Sequence, residues 1–330
     1  MHGDWTFFEG PPVVGYGRVY VGTHGGRVLA VDSASGAVAW ERDFGRCIAA
    51  SPAVAHGFVY VPLMGRLPCD GDASGGVVAL DAESGASRWR VRTGAVESSP
   101  LVVRGLVYFG SWDHTVYALE ARSGRIRWRF TTADKVKAGP SWAGGTVYVG
   151  SYDARLYALD AATGAQRWAA EGGEFYATPA VAYGNVFIGS TDGRVFAFDA
   201  RTGERRWSAQ TESYVYSAPA VWRKTVYIGS YDHRLYAFDA VSGRRRWSVE
   251  AGHPISGAPT VLAGLVYFST CGSCSEFESD PDGRRSFAVD AGTGKIVWRF
   301  PDGEYSPLVA DGKRVYLMGF TSLYGMAPAR

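Results

Sequence analysis

Along the whole chain, short runs of valine, tyrosine, phenylalanine, isoleucine and leucine alternate with clusters of glycine, aspartate and serine. One stretch shows the pattern. Ser99-Pro100-Leu101-Val102-Val103 leads through Gly105 to Val107-Tyr108-Phe109-Gly110, and the polar turn Ser111-Trp112-Asp113-His114 leads on to Val116-Tyr117-Ala118-Leu119-Glu120. Arg122-Ser123-Gly124 then leads to Arg125-Ile126-Arg127-Trp128-Arg129-Phe130. β-Branched and aromatic side chains suit a half-buried pleated surface, and Gly, Asp and Ser supply the turn conformations between strands. No stretch carries a sustained 3.6-residue apolar period bounded by helix caps. The pattern predicts four antiparallel strands per unit and no helix.

The unit recurs. A-x-D-x-x-[ST]-G-x-x-x-W runs from Ala30 to Trp40, Ala79 to Trp89, Ala118 to Trp128, Ala158 to Trp168, Ala197 to Trp207, Ala237 to Trp247 and Ala288 to Trp298, with Glu120 replacing Asp in the third copy. Successive tryptophans lie 49, 39, 40, 39, 40 and 51 residues apart, a period near 40 with two insertions. Four-strand units at that period predict a β-propeller. After Trp298, three further strand signals follow at Tyr305-Ser306-Pro307-Leu308-Val309, Val315-Tyr316-Leu317-Met318-Gly319 and Leu323-Tyr324-Gly325-Met326. The missing fourth is at the other terminus, Asp4-Trp5-Thr6-Phe7-Phe8. The expectation is therefore an all-β, eight-bladed propeller of four-stranded antiparallel blades. It forms one domain over residues 1–330, and the N-terminal strand completes the last blade and removes free sheet edges.

Packing explains the recurring indole. A single blade cannot bury both faces, so Trp5, Trp40, Trp89, Trp128, Trp168, Trp207, Trp247 and Trp298 are expected to dock each sheet on the next. A Trp buries roughly 150–250 Å², and the small Ala and Gly of the motif leave flat room for it.

Composition changes this picture little. The chain is 46% hydrophobic and 20% charged, with Lys+Arg 34 against Asp+Glu 32 and a net charge of +2. A nucleic-acid partner is not expected, since the longest basic run is Arg244-Arg245-Arg246 before a repeat tryptophan. No window has the ~20 apolar residues of a membrane-spanning helix. Residues Met1-His2-Gly3-Asp4-Trp5 lack the basic and apolar regions of a signal peptide. A cytoplasmic location is expected if the chain is complete, an exported one if a leader has been removed. A monomer is expected.

Candidate chemistry falls on one face, where inter-blade loops and second hairpins lie together. Both insertions, at about 63–74 and 271–282, are in second hairpins, and long loops on a rigid scaffold commonly carry function. The residue three before each strand-one proline is expected near a central channel. Acids Glu9, Glu97 and Glu304 occupy one arc, and Lys137, Tyr176 and Tyr216 the other, with Lys135, Glu174 and Tyr214 two positions earlier. Two readings stand: a polar ligand or catalytic site using Glu97, Lys137, Tyr176 and Tyr216, or a hydrated channel of paired charges. In an oxidising compartment Cys47 with Cys69, and Cys271 with Cys274, are the simplest disulfides; in a reducing one the cysteines are free thiols, or Cys271 and Cys274 contribute to a zinc site, for which a second C-x-x-C is missing. The histidines form no metal-ligand pattern, and no nucleophile elbow, phosphate loop or dinucleotide fingerprint appears.

The motif, preceded by G-S-x-D-x-x-L-Y-A-L-D as at Gly150 to Asp160, resembles the PQQ-repeat, quinoprotein-like β-propeller family over nearly the whole chain. That family, as the resemblance implies, includes quinoprotein alcohol dehydrogenases, the outer-membrane assembly lipoprotein BamB and sensor domains of bacterial kinases. The dehydrogenases hold PQQ with calcium through carboxylates and amides under a vicinal disulfide. Here no adjacent cysteines and no matching ligands occur, and the lipobox cysteine of BamB-like members is also missing. The expected function is a scaffold or sensor that binds a protein partner or small polar ligand. The alternative is an enzyme in the central pocket, either quinone-linked or a cofactor-independent biosynthetic enzyme.

Overall fold

The computed structural model describes residues 10–67, 73–272, 274, 283–303, 305, 308–311 and 314–326. Every regular element among them is a strand. The fold is an eight-bladed β-propeller, and its contacts gather into two compact units, residues 1–140 with 308–330, and residues 141–307.

In the first unit, blade one is Val13–Gly15, Arg18–Gly22, Arg27–Asp32 and Val38–Asp43. Blade two is Ala53–Ala55, Phe58–Leu63, Ser74–Asp81 and Ser87–Gly94, and blade three is Leu101–Val103, Leu106–Ser111, Thr115–Glu120 and Ile126–Thr131. Blade eight contributes Leu308–Ala310, Val315–Met318 and Leu323–Met326; its expected fourth strand around Trp5 lies outside the described residues. The second unit holds blades four to seven, from Ser141–Ala143 to Ile296–Phe300. All seven four-stranded sheets are antiparallel meanders.

Each hairpin has its own chemistry. The first turn needs two residues of positive φ, as in a type I′ turn, and glycine holds the second place in six blades; blade six uses Arg223 and Lys224 at φ 45° and 57° instead. The third turn is built by the motif aspartate. Asp199 Oδ1 accepts from the Arg201 and Thr202 amides, both at 2.9 Å, and Gly203 follows at φ 76°. The pairing then skips one residue, so that Ala197 faces Trp207. The other carboxylate oxygen receives an arginine from the next strand: Arg206 at 2.6 Å here, Arg88 on Asp81, Arg167 on Asp160 and Arg246 on Asp239. Those guanidiniums, helped by the turn amides and hydroxyls, hold all four carboxyls well below the usual range, Asp160 to about 2. Arg246, the last of the arginine triplet, is thus bound within its own blade.

Within each unit the core is a series of layers between neighbouring blades, for example Trp207, Phe187 and Val195 of blade five against Val226, Tyr236 and Phe238 of blade six. The indole lies flat on the motif glycine of the next blade. A Cβ on Gly243 would come 2.7 Å from Trp207 Cδ2, and Gly85, Gly203 and Gly294 meet Trp40, Trp168 and Trp247 in the same way. The indole N–H donates to the carbonyl just after the next motif acid: Trp40 to Ala82, Trp89 to Ala121, Trp168 to Ala200, Trp207 to Ala240 and Trp247 to Ala291, at 3.0–3.2 Å. A strand-two tyrosine shares that carbonyl in four of these layers, through Tyr20, Tyr60, Tyr148 and Tyr227. Blade eight docks on blade one in kind, with the Tyr316 hydroxyl donating to Ser33 O at 3.3 Å. Trp128 is buried, and Trp298 stacks on Phe300 with ring centroids 5.7 Å apart.

Candidate functional site

Second hairpins and inter-blade loops are stitched together by one repeated backbone bond. The amide after the hairpin serine donates into the preceding loop: Trp112 to Ala95, Thr191 to Glu174 and Tyr231 to Tyr214, with Met64 to Cys47 and Cys271 to Pro254 at the insertions. The hairpin aspartate braces the turn. Asp113, Asp153 and Asp232 each accept the hydroxyl of a strand-three tyrosine at 2.7–2.8 Å. Burial, and then the neighbouring carboxylate, push Tyr117 and Tyr157 up to about 12. With backbone and turn fixed, the residue between that serine and aspartate is presented beside the loop positions counted back from proline.

In the first unit this residue is Trp112. Its Nε1 donates to Glu97 Oε2 at 3.0 Å, and Lys137 Nζ reaches the same oxygen at 3.3 Å. Lys135 and Lys137 lie 4.8 and 4.7 Å from the indole centroid, within cation–π range. The indole also packs against buried Cys47, Met64 and Ala95. The arrangement is a carboxylate held by two donors, with two ammonium groups gathered on an aromatic ring.

In the second unit the corresponding residue of blade six is Tyr231. Its ring centroid is 4.9 Å from that of Tyr216, which is 4.9 Å from Tyr176 and 5.8 Å from Tyr214. The Tyr231 hydroxyl donates to Ser256 Oγ at 3.4 Å. Tyr214 is 46% exposed, among the most exposed large aromatic side chains of the described residues. Four phenols on adjoining rings offer flat apolar contact and several donors at once.

The structure brings Glu97 into contact with Lys137, and Tyr176 with Tyr216; Glu9 and Glu304 lie outside the described residues. Trp112 and Tyr231 were not among the candidates, although an aromatic in G-S-x-D is the signal that finds them. Residues 68–72 of the first insertion, with Cys69, and most of the second lie outside the described residues; Cys47 is fully buried, and Cys271 and Cys274 form a disulfide. Among the described residues, no three His, Cys, Asp or Glu side chains gather as a metal would require, and the disulfide spans three positions rather than adjacent ones. These residues do not fit calcium-bound PQQ. No helix among them is long and apolar enough to cross a membrane.

A family model described as outer membrane protein assembly factor BamB matches residues 4–67, 62–134, 112–216 and 215–324. The chain belongs to this family. Among solved structures, BamB from Moraxella catarrhalis superposes with a TM-score of 0.74 at 20% identity, covering 98% of this chain and 96% of that one. A europium-containing methanol dehydrogenase does so with a TM-score of 0.72 at 16% identity, covering 95% and 84%. At such identities the likeness is one of fold. Serine/threonine-protein kinase AfsK of Streptomyces griseus is 41% identical over 140 residues, which make up 40% of this chain and 16% of the kinase. The PQQ-repeat residues that define a BamB-family propeller are thus those that build and dock its blades. The two aromatic clusters stand outside the repeated positions.

Proposed function

We propose that this BamB-family propeller is a non-catalytic scaffold or sensor that binds a partner protein through its loop-and-second-hairpin face. The observation that carries the reading is the tyrosine cluster Tyr176, Tyr214, Tyr216 and Tyr231, with the Tyr214 ring exposed at its edge. Tyrosine supplies large, rigid, amphipathic contact area at low entropic cost and is enriched at the centres of protein interfaces. The first unit supports binding in another way. The Glu97 carboxylate that an acid–base mechanism would use already receives Trp112 and Lys137. The assembly-factor description of the family and the partial likeness to a kinase both suit a module that recognises other proteins.

The test is recovery of partners from cells making the tagged protein, compared with Tyr214→Ala/Tyr216→Ala. The reading expects a protein retained in near-stoichiometric amount by the native chain and lost from the variant, with both chains melting within about 3 °C of each other. A partner held equally by both chains refutes it. So does a turnover of a polar organic substrate that Lys137→Ala and Tyr216→Phe abolish.

A further inference from the structure

At the end of the blades that carries the first hairpins and the motif turns, away from the tyrosine cluster, the second unit has a cavity of about 490 Å³ between blades four and five. Gly144, Thr146 and Trp168 of blade four line it, with Val181, Gly184 and Arg201 of blade five. Both blades fall wholly among the described residues.

Other blade junctions show what can fill this place. At the first position of the first turn, blade one has Tyr16, whose hydroxyl accepts the Gly57 amide of blade two at 2.8 Å. Blade five has Tyr183 there, whose hydroxyl accepts the Lys224 amide of blade six at 3.2 Å. In each pair a phenol from one blade closes over the second turn residue of the next. From the start of its second strand, blade one also sends Arg18 across to the carbonyls of Ala82 and Glu83. Blade four has short residues at both positions. Gly144 stands for the tyrosine, and a Cβ on it would meet nothing within 4 Å. Thr146 stands for the arginine; it is buried and turned to its own blade, accepting Arg167 Nη1 at 2.8 Å. The amide that a tyrosine hydroxyl takes at the other junctions is here that of Gly184, and among the described residues no acceptor meets it.

We infer that this groove takes the tyrosine side chain of a partner polypeptide, in the place that Tyr16 and Tyr183 fill at their own junctions. Trp168 and Val181 give a phenol ring apolar contact, and the Gly184 amide gives its hydroxyl a donor. The ring comes on a polypeptide rather than as a free phenol because rings so placed stay open to water: Tyr16 is 59% and Tyr183 53% exposed. Burial stabilises in proportion to the area removed from water, so a half-covered ring is held weakly alone and needs the contacts of its chain neighbours. The site does not depend on the tyrosine cluster at the other end of the blades.

The test is titration of nitrogen-15-labelled protein, followed by NMR at the Gly184 amide, with the end-blocked tripeptide Gly-Tyr-Gly (the sequence of Gly15-Tyr16-Gly17), its Gly-Phe-Gly counterpart and p-cresol. The blocking variant is Gly144→Tyr, which the backbone accepts because Gly144 has φ 54° where Tyr16 and Tyr183 have 51° and 50°. Its melting temperature checks the fold, and Thr146→Arg, which restores the arm of Arg18, is a second blocking variant. The expected result is a saturable Gly184 shift with Gly-Tyr-Gly that both variants lose. Binding should be about fivefold weaker or more for Gly-Phe-Gly, for want of one hydrogen bond, and weaker for p-cresol. No saturable shift, an equal response to Gly-Phe-Gly, or a shift retained in folded Gly144→Tyr overturns the inference. p-Cresol binding as tightly as the tripeptide overturns the polypeptide source.

Discussion

Ala240 tests whether the docking indoles act through hydrogen bonding as well as area. In four layers the carbonyl beneath the indole has two donors, but in the layer between blades five and six the strand-two residue is Phe187, and Trp207 Nε1 at 3.1 Å is the only donor to Ala240 O among the described residues. Phe187 and Trp207 keep the geometry of the tyrosine layers, with centroids 5.9 Å apart against 5.8 Å for Tyr148 and Trp168. Trp168→Phe should lose mainly packing, roughly 1–2 kcal/mol as part of the 3–5 kcal/mol of a full truncation to Ala, because Tyr148 still donates to Ala200 O at 2.9 Å. Trp207→Phe should lose the same packing and also leave a buried carbonyl without a donor, about 1–3 kcal/mol more. Placing Phe187→Tyr in the Trp207→Phe background should recover about 1 kcal/mol or more of that difference, because the new hydroxyl lies where its counterparts reach the carbonyl. Urea unfolding of the native chain, Trp168→Phe, Trp207→Phe, Phe187→Tyr and Phe187→Tyr/Trp207→Phe measures the losses and the cycle. Equal losses at Trp168 and Trp207, or no coupling between Phe187→Tyr and Trp207→Phe, would refute the hydrogen-bond account.

Two further outcomes follow from the turns. Lys224 occupies a left-handed position that glycine holds in six blades. Relief of roughly 1–2 kcal/mol of strain, less the extra freedom glycine gains on unfolding, should let Lys224→Gly stabilise by about 0.5–1 kcal/mol in urea; a destabilised variant would contradict this. Asp81, Asp160, Asp199 and Asp239 have folded pKa values below their unfolded ones. Their contribution is therefore full above the unfolded pKa of about 4 and is lost as pH falls toward 2. The melting temperature should hold from pH 7 to 5 with respect to these groups and then fall, and the fall should be smaller in Arg88→Gln/Arg167→Gln/Arg206→Gln/Arg246→Gln. An undiminished fall would show that the aspartate–arginine pairs do not carry the acid response.

The blades were legible because the same physical problem is solved many times at one period. Asp bends the turn, Gly gives positive φ and an open floor, and Trp covers the floor of the next sheet, so spacing alone counted the units. Counting back from proline also found Glu97 and Lys137. It could not find that one carboxylate oxygen joins them to Trp112, because a turn side chain's direction is set by the bond between hairpin and loop, not by its neighbours in sequence. The blade-two insertion was harder still. Read as a long loop at 63–74, it partly lengthens the strands instead: Ser74–Asp81 and Ser87–Gly94 have eight residues each, where blade three has six in each.

A chain that repeats its own blade offers a comparison within one molecule. Where a residue recurs, packing or turn geometry accounts for it, as with Gly243 under Trp207. Where a blade departs from the pattern and the departure relieves no strain, packing does not supply the reason. Arg223-Lys224 adds strain at an exposed turn, where the Lys224 amide donates to the Tyr183 hydroxyl at 3.2 Å and the Arg223 guanidinium lies 4.5 Å from the Trp222 ring centroid. Gly76 and Arg92 stand where blades four and six hold an arginine and a glutamate in an ion pair, so blade two makes that strand-to-strand link differently.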